Sequence, residues 1–207
     1  LKLGLEIGVP NVLKTLERLG VERKWPAYPS MLLGAGSLTP MEVAGMYQTL
    51  ANGGFNTPLR GIRSVLTADG EPLGRYPFQI QQRFDPGAIY LVQNAMQRTM
   101  REGTGRSVYN QLPSSLNLAG KTGTSQVRNI TAAERARGVI SNDQLPWNRR
   151  DHALFVCYAP YQAPRYAVSV VVEHGGGGSA VAAPIARDIL LFALAGGLPP
   201  ITAYPDD

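Results

Sequence analysis

The apolar period changes along the chain, from helical spacing in the first hundred residues to near-continuous β-branched runs after residue 150. Between residues 1 and 20, Val12, Leu13, Leu16 and Leu19 share one helical face. Pro10 with Asn11 suits the start of that helix, and Gly20 suits the position just past its end. Trp25-Pro26-Ala27-Tyr28-Pro29 is a proline-rich connection. Thr39 as N-cap, Pro40 in the first turn and Glu42 at the third position form a capping box. The helix they open runs to about residue 52 and ends at Gly53-Gly54. Residues 60–68 and 76–83 read as short strands joined across Asp69-Gly70, a favoured hairpin dipeptide. Asp85-Pro86 starts a helix carrying Ile89, Leu91, Val92, Ala95 and Met96 that runs to about residue 101. Thr104-Gly105-Arg106 reads as a turn.

The second half carries the strongest strands, at 153–158 and 166–172, with a turn between them short enough for an antiparallel pair. Residues 127–150 read as a polar excursion with one small helix at 132–137. The glycine run at 175–178 suggests a flexible connection, followed by a helix over 183–195 and a proline-rich tail that frays. The pattern predicts an α+β fold. Its antiparallel sheet comes from strands near 118, 153 and 166, the last helix packs on one face, and the first hundred residues supply part of a helical lobe. One domain is expected, with residues 1–117 as helical part and hairpin, 118–195 as sheet and helix, and 196–207 as tail.

Composition narrows this picture only a little. With 207 residues, 44% hydrophobic and 17% charged, the chain can bury a core and is not a disordered sequence. A net charge of +5 favours anionic partners: nucleic acid, anionic lipid or cell-wall polymer. The basic residues are scattered, with no aromatic-interleaved basic helix, so nucleic acid is the weakest of the three. Cys157, the one cysteine, lies in an apolar run and reads as a small buried side chain. His152 and His174 lack metal-ligand spacing, so neither metal nor cofactor is expected. Glu173 and His174, as strand neighbours, would point to opposite faces. Arg149-Arg150-Asp151 reads as a solvated charge cluster and Arg106 as structural. No signal peptide or bilayer-length apolar stretch is present. The sequence starts without Met in what reads as mid-helix, so it is taken as a fragment, with any membrane anchor in the missing part.

The candidate chemistry lies in Leu118-Ala119-Gly120-Lys121-Thr122-Gly123-Thr124-Ser125. Glycines let a backbone pass close to a ligand, a lysine offers a point charge to an anion, and hydroxyls orient that anion. Two motifs fit these residues: the nucleotide phosphate loop and the K-T-G strand of penicillin-binding enzymes and serine β-lactamases. The phosphate loop needs its first glycine at residue 115, which is Ser115, and the broken sequence before Leu118 makes no long buried strand. Nucleotide binding therefore ranks well below the K-T-G reading.

Flanking residues carry a more specific likeness. Leu32-Leu33-Gly34-Ala35, Leu38-Thr39-Pro40-Met41-Glu42-Val43-Ala44 and Leu50-Ala51-Asn52-Gly53-Gly54 resemble the transpeptidase domain of penicillin-binding proteins. So do Glu102-Gly103-Thr104-Gly105-Arg106 and Ala119-Gly120-Lys121-Thr122-Gly123-Thr124. Residues 1–122 look most like the class A bifunctional type. Residues 125–195, through Ala133-Glu134-Arg135-Ala136-Arg137-Gly138 and Val172-Glu173-His174-Gly175, look like class B elongation transpeptidases. A hybrid or fused chain would change likeness in this way at the shared motif.

The resemblance implies an incomplete serine β-lactamase/transpeptidase-like fold that cross-links peptidoglycan stem peptides and binds β-lactams when whole. It also implies a place on the periplasmic face of the bacterial inner membrane, cell-wall synthesis proteins as further partners, and no cofactor. Lys121, Thr122, Gly123 and Thr124 would form the substrate edge, and the Thr124 N–H would donate to the oxyanion. The family's S-x-x-K motif is missing, because no serine has a lysine three positions later. Ser115-Leu116-Asn117 spells S-x-N only four residues before Lys121, and the family places that motif far upstream, so it is a decoy. A non-catalytic scaffold of the cell-wall machinery is the rival expectation.

Overall fold

In the computed structural model, Gly8 divides the first predicted helix into α1 (Lys2–Ile7) and α2 (Val9–Arg18). Its φ of 90° is cheap only for glycine, so α2 starts at Val9 and keeps Pro10 in its first turn. The structure describes residues 1–62, 64–75, 77–109, 112 and 116–197. The chain divides into two compact units, Leu1–Tyr90 and Leu91–Asp207.

In the first unit, α3 (Pro40–Ala51) begins with the predicted capping box. The Glu42 N–H donates to Thr39 Oγ1 at 3.2 Å, and the Thr39 N–H donates to the Glu42 carboxylate at 2.7 Å. Arg23 grips the same carboxylate through Nε at 2.6 Å and Nη2 at 3.0 Å. The Arg23 hydrogen bonds, helped by the Thr39 N–H, hold the Glu42 carboxyl down at a pKa of about 2. Buried Thr49 donates to the Leu19 carbonyl at 3.3 Å and accepts from Asn56 Nδ2 at 2.8 Å, tying the end of α2 to α3.

The Asp69-Gly70 turn is present, with Gly70 at φ 83°, but its strands differ from expectation. β2 (Ser64–Leu66) pairs antiparallel with β3 (Pro72–Arg75). The Thr67 N–H bonds the Glu71 carbonyl at 2.7 Å and closes the loop tightly, so pairing resumes at once instead of at residue 76. Farther on, Gln81–Gln82 (β4) pairs with β1 (Phe55–Asn56), and Tyr76 lies outside the described residues.

Helix α4 (Pro86–Arg101) opens with Asp85 Oδ1 accepting the Ala88 N–H at 3.0 Å. A one-turn helix, α5 (Arg106–Tyr109), stands where only a turn was expected. The main sheet is antiparallel in the order β5 (Ala119–Ser125), β6 (His152–Ala159), β7 (Tyr166–Val172). Within the 126–151 excursion lie α6 (Ala132–Arg137) and two short 3-10 turns, Asn142–Gln144 and Trp147–Arg149. A π-helical turn, Gly178–Ala182, leads into α7 (Ala183–Ala195).

Alternation on β6 sends Ala153, Phe155, Cys157 and Ala159 into a core with Ala182, Ala183, Ala186 and Leu190. Alanines on the helix side let it lie close to the sheet. Met100, Val108 and Leu116 join this core in the unit that begins at Leu91. Among the described residues no helix is long and apolar enough to cross a membrane.

Removing the cap should cost about 1 kcal/mol in Thr39→Ala, read as a lower urea midpoint. Glu42 has its folded pKa depressed, so its stabilisation is complete above the ordinary carboxylate range and is lost as pH falls toward about 2. Urea midpoints followed into acid should show this loss in the wild type and not in Glu42→Gln.

Candidate active site

Strand β5 presents the K-T-G residues and, among the described residues, pairs on one side only, with β6. Its register sets Lys121 opposite Val156, Gly123 opposite Leu154 and Ser125 opposite His152. Side chains alternate, so Gly120, Thr122 and Thr124 share the face of Phe155 and the α7 core, while Lys121, Gly123 and Ser125 take the other. Lys121, Thr124 and Ser125 are exposed.

The two glycines of the motif differ in purpose. A Cβ on Gly120 would lie 2.6 Å from the Val156 carbonyl oxygen and 2.7 Å from Cys157 Cβ. Gly120 is thus demanded by the close approach of β6. Gly123 is half-buried and has more room, with Leu154 Cβ at 3.2 Å from where its Cβ would be.

The Lys121 ammonium donates to the Thr122 carbonyl, which keeps the charge beside the motif's own backbone. Thr122 is only 8% exposed, and its hydroxyl lies 2.6 Å from that of Thr104. Thr104 reaches it because the chain turns back tightly after α4. Cβ atoms on Gly103 and Gly105 would meet the Thr99 carbonyl at 2.8 Å and Met100 Sδ at 2.5 Å. The sequence signalled a turn at Thr104 but not its partner 18 residues on.

The 175–178 run is packed, not loose. A Cβ on Gly178 would fall 2.3 Å from the carbonyl oxygens of Gly123 and Leu154, and one on Gly175 would fall 2.9 Å from Val172 Cγ1. These glycines let the turn press onto the sheet, which reverses the expected flexible connection.

Beside it, the supposed solvated cluster is a clasp. Asp151 accepts from the Val127 N–H at 3.2 Å and from Asn142 Nδ2 at 3.4 Å, its N–H donates to Asn142 Oδ1 at 2.9 Å, and its carbonyl accepts the Gly176 N–H. Arg150 Nε donates to the Leu145 carbonyl at 3.0 Å. A segment with little apolar surface is held by such polar ties instead of a core. In the same excursion, Arg128 and Glu134 form an ion pair at 2.6 Å, whose hydrogen bonds lower the Glu134 pKa.

At that end of the sheet the His174 N–H donates to His152 Nδ1 at 2.9 Å. The two rings lie 4.8 Å apart, and Trp147 meets His174 edge-on at 4.6 Å. Nothing in the spacing of the two histidines signals this contact in the sequence.

Asn117 accepts from the Tyr109 hydroxyl at 2.6 Å through its side chain and from the Tyr161 N–H at 2.8 Å through its carbonyl. It therefore sits by the β6–β7 turn, about 20 Å along the strand from Thr124. Ser115 lies outside the described residues. Arg106 is exposed and enters its turn through its own N–H to the Gly103 carbonyl. Cys157 is fully buried, and burial pushes its thiol pKa far up, so it is no nucleophile. Among the described residues no three His, Cys, Asp or Glu side chains gather as a metal site.

The model of the penicillin binding protein transpeptidase domain matches residues 5–191, and the chain belongs to that family. Penicillin-binding protein 1B of Vibrio cholerae is 47% identical over 124 residues, 59% of this chain and 16% of that protein. Peptidoglycan D,D-transpeptidase MrdA of Haemophilus influenzae is 31% identical over 199 residues, 88% of this chain and 28% of that protein. Among solved structures, Pseudomonas aeruginosa PBP2 in complex with WCK 5153 is 28% identical with a TM-score of 0.63, over 99% of this chain and 47% of that one. Penicillin-binding protein A from M. tuberculosis, as its imipenem acyl-enzyme, shares the fold at a TM-score of 0.68 and 22% identity, over 93% of this chain and 44% of that one. The chain spans well under a third of these curated relatives and less than half of these solved chains.

Adding a methyl at Gly120 or Gly178 should destabilise the chain by about 1–3 kcal/mol through crowding of backbone carbonyls. Gly74→Ala, which meets open space, should stay within about 0.5 kcal/mol of wild type. Thermal melts of the three variants measure the contrast.

Proposed function

We propose that this chain is the K-T-G-bearing part of a peptidoglycan D,D-transpeptidase domain, acting at the periplasmic face of the bacterial inner membrane. Its substrates are stem peptides and their β-lactam mimics, both of which carry a carboxylate. The observation that carries this reading is the edge strand itself, with exposed Lys121 and Thr124 on a backbone fixed from behind by β6 and Gly178. The names of the relatives, and the acyl-enzyme described for penicillin-binding protein A, support it.

In this reading Lys121 keeps the carboxylate end of the site positive and Gly123 leaves room for the substrate backbone. Thr124 bonds the substrate through its hydroxyl and donates its N–H to the oxyanion of the tetrahedral intermediate. Thr122 holds this edge through Thr104, and a hydroxyl pair retains hydrogen-bonding capacity toward substrate. The acyl-accepting serine comes from an S-x-x-K lobe outside this sequence. A second reading, a non-catalytic partner in cell-wall synthesis, is favoured by the lack of any serine followed by lysine three positions on.

Incubated alone with a fluorescent penicillin, the chain should give no covalent adduct by intact mass. With an S-x-x-K-bearing fragment added, the label should appear on that fragment. Lys121→Ala should slow this labelling about 10- to 100-fold, the worth of one charged hydrogen bond. An adduct on the chain alone would overturn the reading, and no labelling in either case would favour the scaffold.

A further inference from the structure

We propose that His152 is a positioning residue for the K-T-G edge, acting through an uncharged Nδ1 that receives the backbone N–H of His174. The inference rests on the transpeptidase reading for what the edge does, but not for how it is held. His152 stands directly opposite Ser125, on the face that also carries Lys121 and Gly123. Its Nδ1 lies 2.9 Å from the His174 nitrogen, which has only a hydrogen to offer, so Nδ1 must present its lone pair. The one proton of the neutral ring therefore sits on Nε2.

His174 needs this anchor. Among the described residues it is the one non-glycine with positive φ, at 56°. Its ring lies 3.0 Å from the Arg150 carbonyl through Nδ1, which donates there, and packs edge-on against Trp147. From His174 the turn continues with the Gly175 N–H to the Val172 carbonyl at 3.2 Å and the Gly176 N–H to the Asp151 carbonyl at 2.8 Å. It ends with Gly178 against the Gly123 carbonyl. The contacts thus run without a gap from His152 through His174 and the glycine turn to the middle of the K-T-G motif.

A proton on His152 Nδ1 removes the acceptor and sets two N–H groups face to face, beside a second imidazole whose ring lies 4.8 Å away. Near it, Asp151 is already engaged by Val127 and Asn142, Arg150 is bonded to the Leu145 carbonyl, and Lys121 stands on the shared face of β5. None of these restores an acceptor for the His174 N–H. Loss of that lone pair therefore releases the turn, and with it the support behind Gly123.

The test uses the chain as it is, by NMR hydrogen exchange, with protection factors corrected for intrinsic rates. In the wild type at neutral pH the His174 and Gly176 amides should be protected, and His152→Leu, which removes the acceptor, should lower that protection about 10-fold or more. The amide shifts of Lys121–Thr124 should move in the same variant. His152→Asn puts Oδ1 where Nδ1 stood, so it should keep both the protection and the wild-type shifts. A His152→Leu variant that keeps His174 protection, or Lys121–Thr124 shifts that do not respond to it, would overturn the proposal. So would an Asn variant that behaves like Leu. No substrate enters the measurement, so this failure is separable from a failure of penicillin labelling.

Discussion

Close backbone approach at two glycines is the constraint on which the rest depends. Gly120 lets β5 lie against β6 with no room for a side chain, and Gly178 lets the turn before α7 sit on the carbonyls of Gly123 and Leu154. The strand is thereby held from its paired edge and across its backbone, with its other edge unpaired among the described residues. Sites on regular, packed elements keep their geometry better than sites on loops, because the supporting contacts leave few alternative positions. The exposure of Lys121 and the burial of Thr122 then follow from strand alternation alone.

The core explains what holds that strand in place. Phe155, Cys157 and Ala159 on β6 and Leu118 before β5 meet alanines of the π-helical turn and α7, with Leu190 behind them. Burying a side chain such as Leu or Phe contributes about 1.5–3 kcal/mol, and this packing lies directly beneath the motif. The polar excursion has no such source of stability. It relies on the Asp151 clasp, which draws its two ends together beside the sheet, and on the Arg128–Glu134 pair within it.

Local signals were legible in the sequence. The capping box at Thr39, the strands near 153 and 166, the small helix at 132–137 and the last helix each announce themselves within a few residues, through caps, β-branched runs or Gly and Pro punctuation. The K-T-G residues were legible as a motif for the same reason. Contacts that join distant segments were not. Thr104 finds Thr122 and His152 finds His174 across 18 and 22 residues, and no period or spacing rule marks such pairs. Glycine is ambiguous by nature, since a run of it serves equally for looseness and for close packing. Only the neighbouring carbonyls at Gly178 decide between them. The hairpin went wrong in register because turn closure at Glu71, not the apolar pattern, sets where pairing resumes.

The division of labour in the site bears on what this chain can do by itself. On the transpeptidase reading the edge supplies charge and hydrogen bonds, and the absent lobe supplies the nucleophile. Loss of one oxyanion donor costs about a hundred- to a thousand-fold in rate, whereas loss of the nucleophile removes the covalent route itself. Binding without reaction is also hard for the edge alone. One charged hydrogen bond contributes about 1.5–3 kcal/mol, while association costs at least about 4 kcal/mol in lost freedom. On this reading the K-T-G edge gains affinity and chemistry when a second wall closes over the substrate, so its firm anchoring matters more than its reach. A strand that shifted with its ligand would spend the binding energy on its own ordering, and β6, Thr104 and the glycine turn are placed to prevent that.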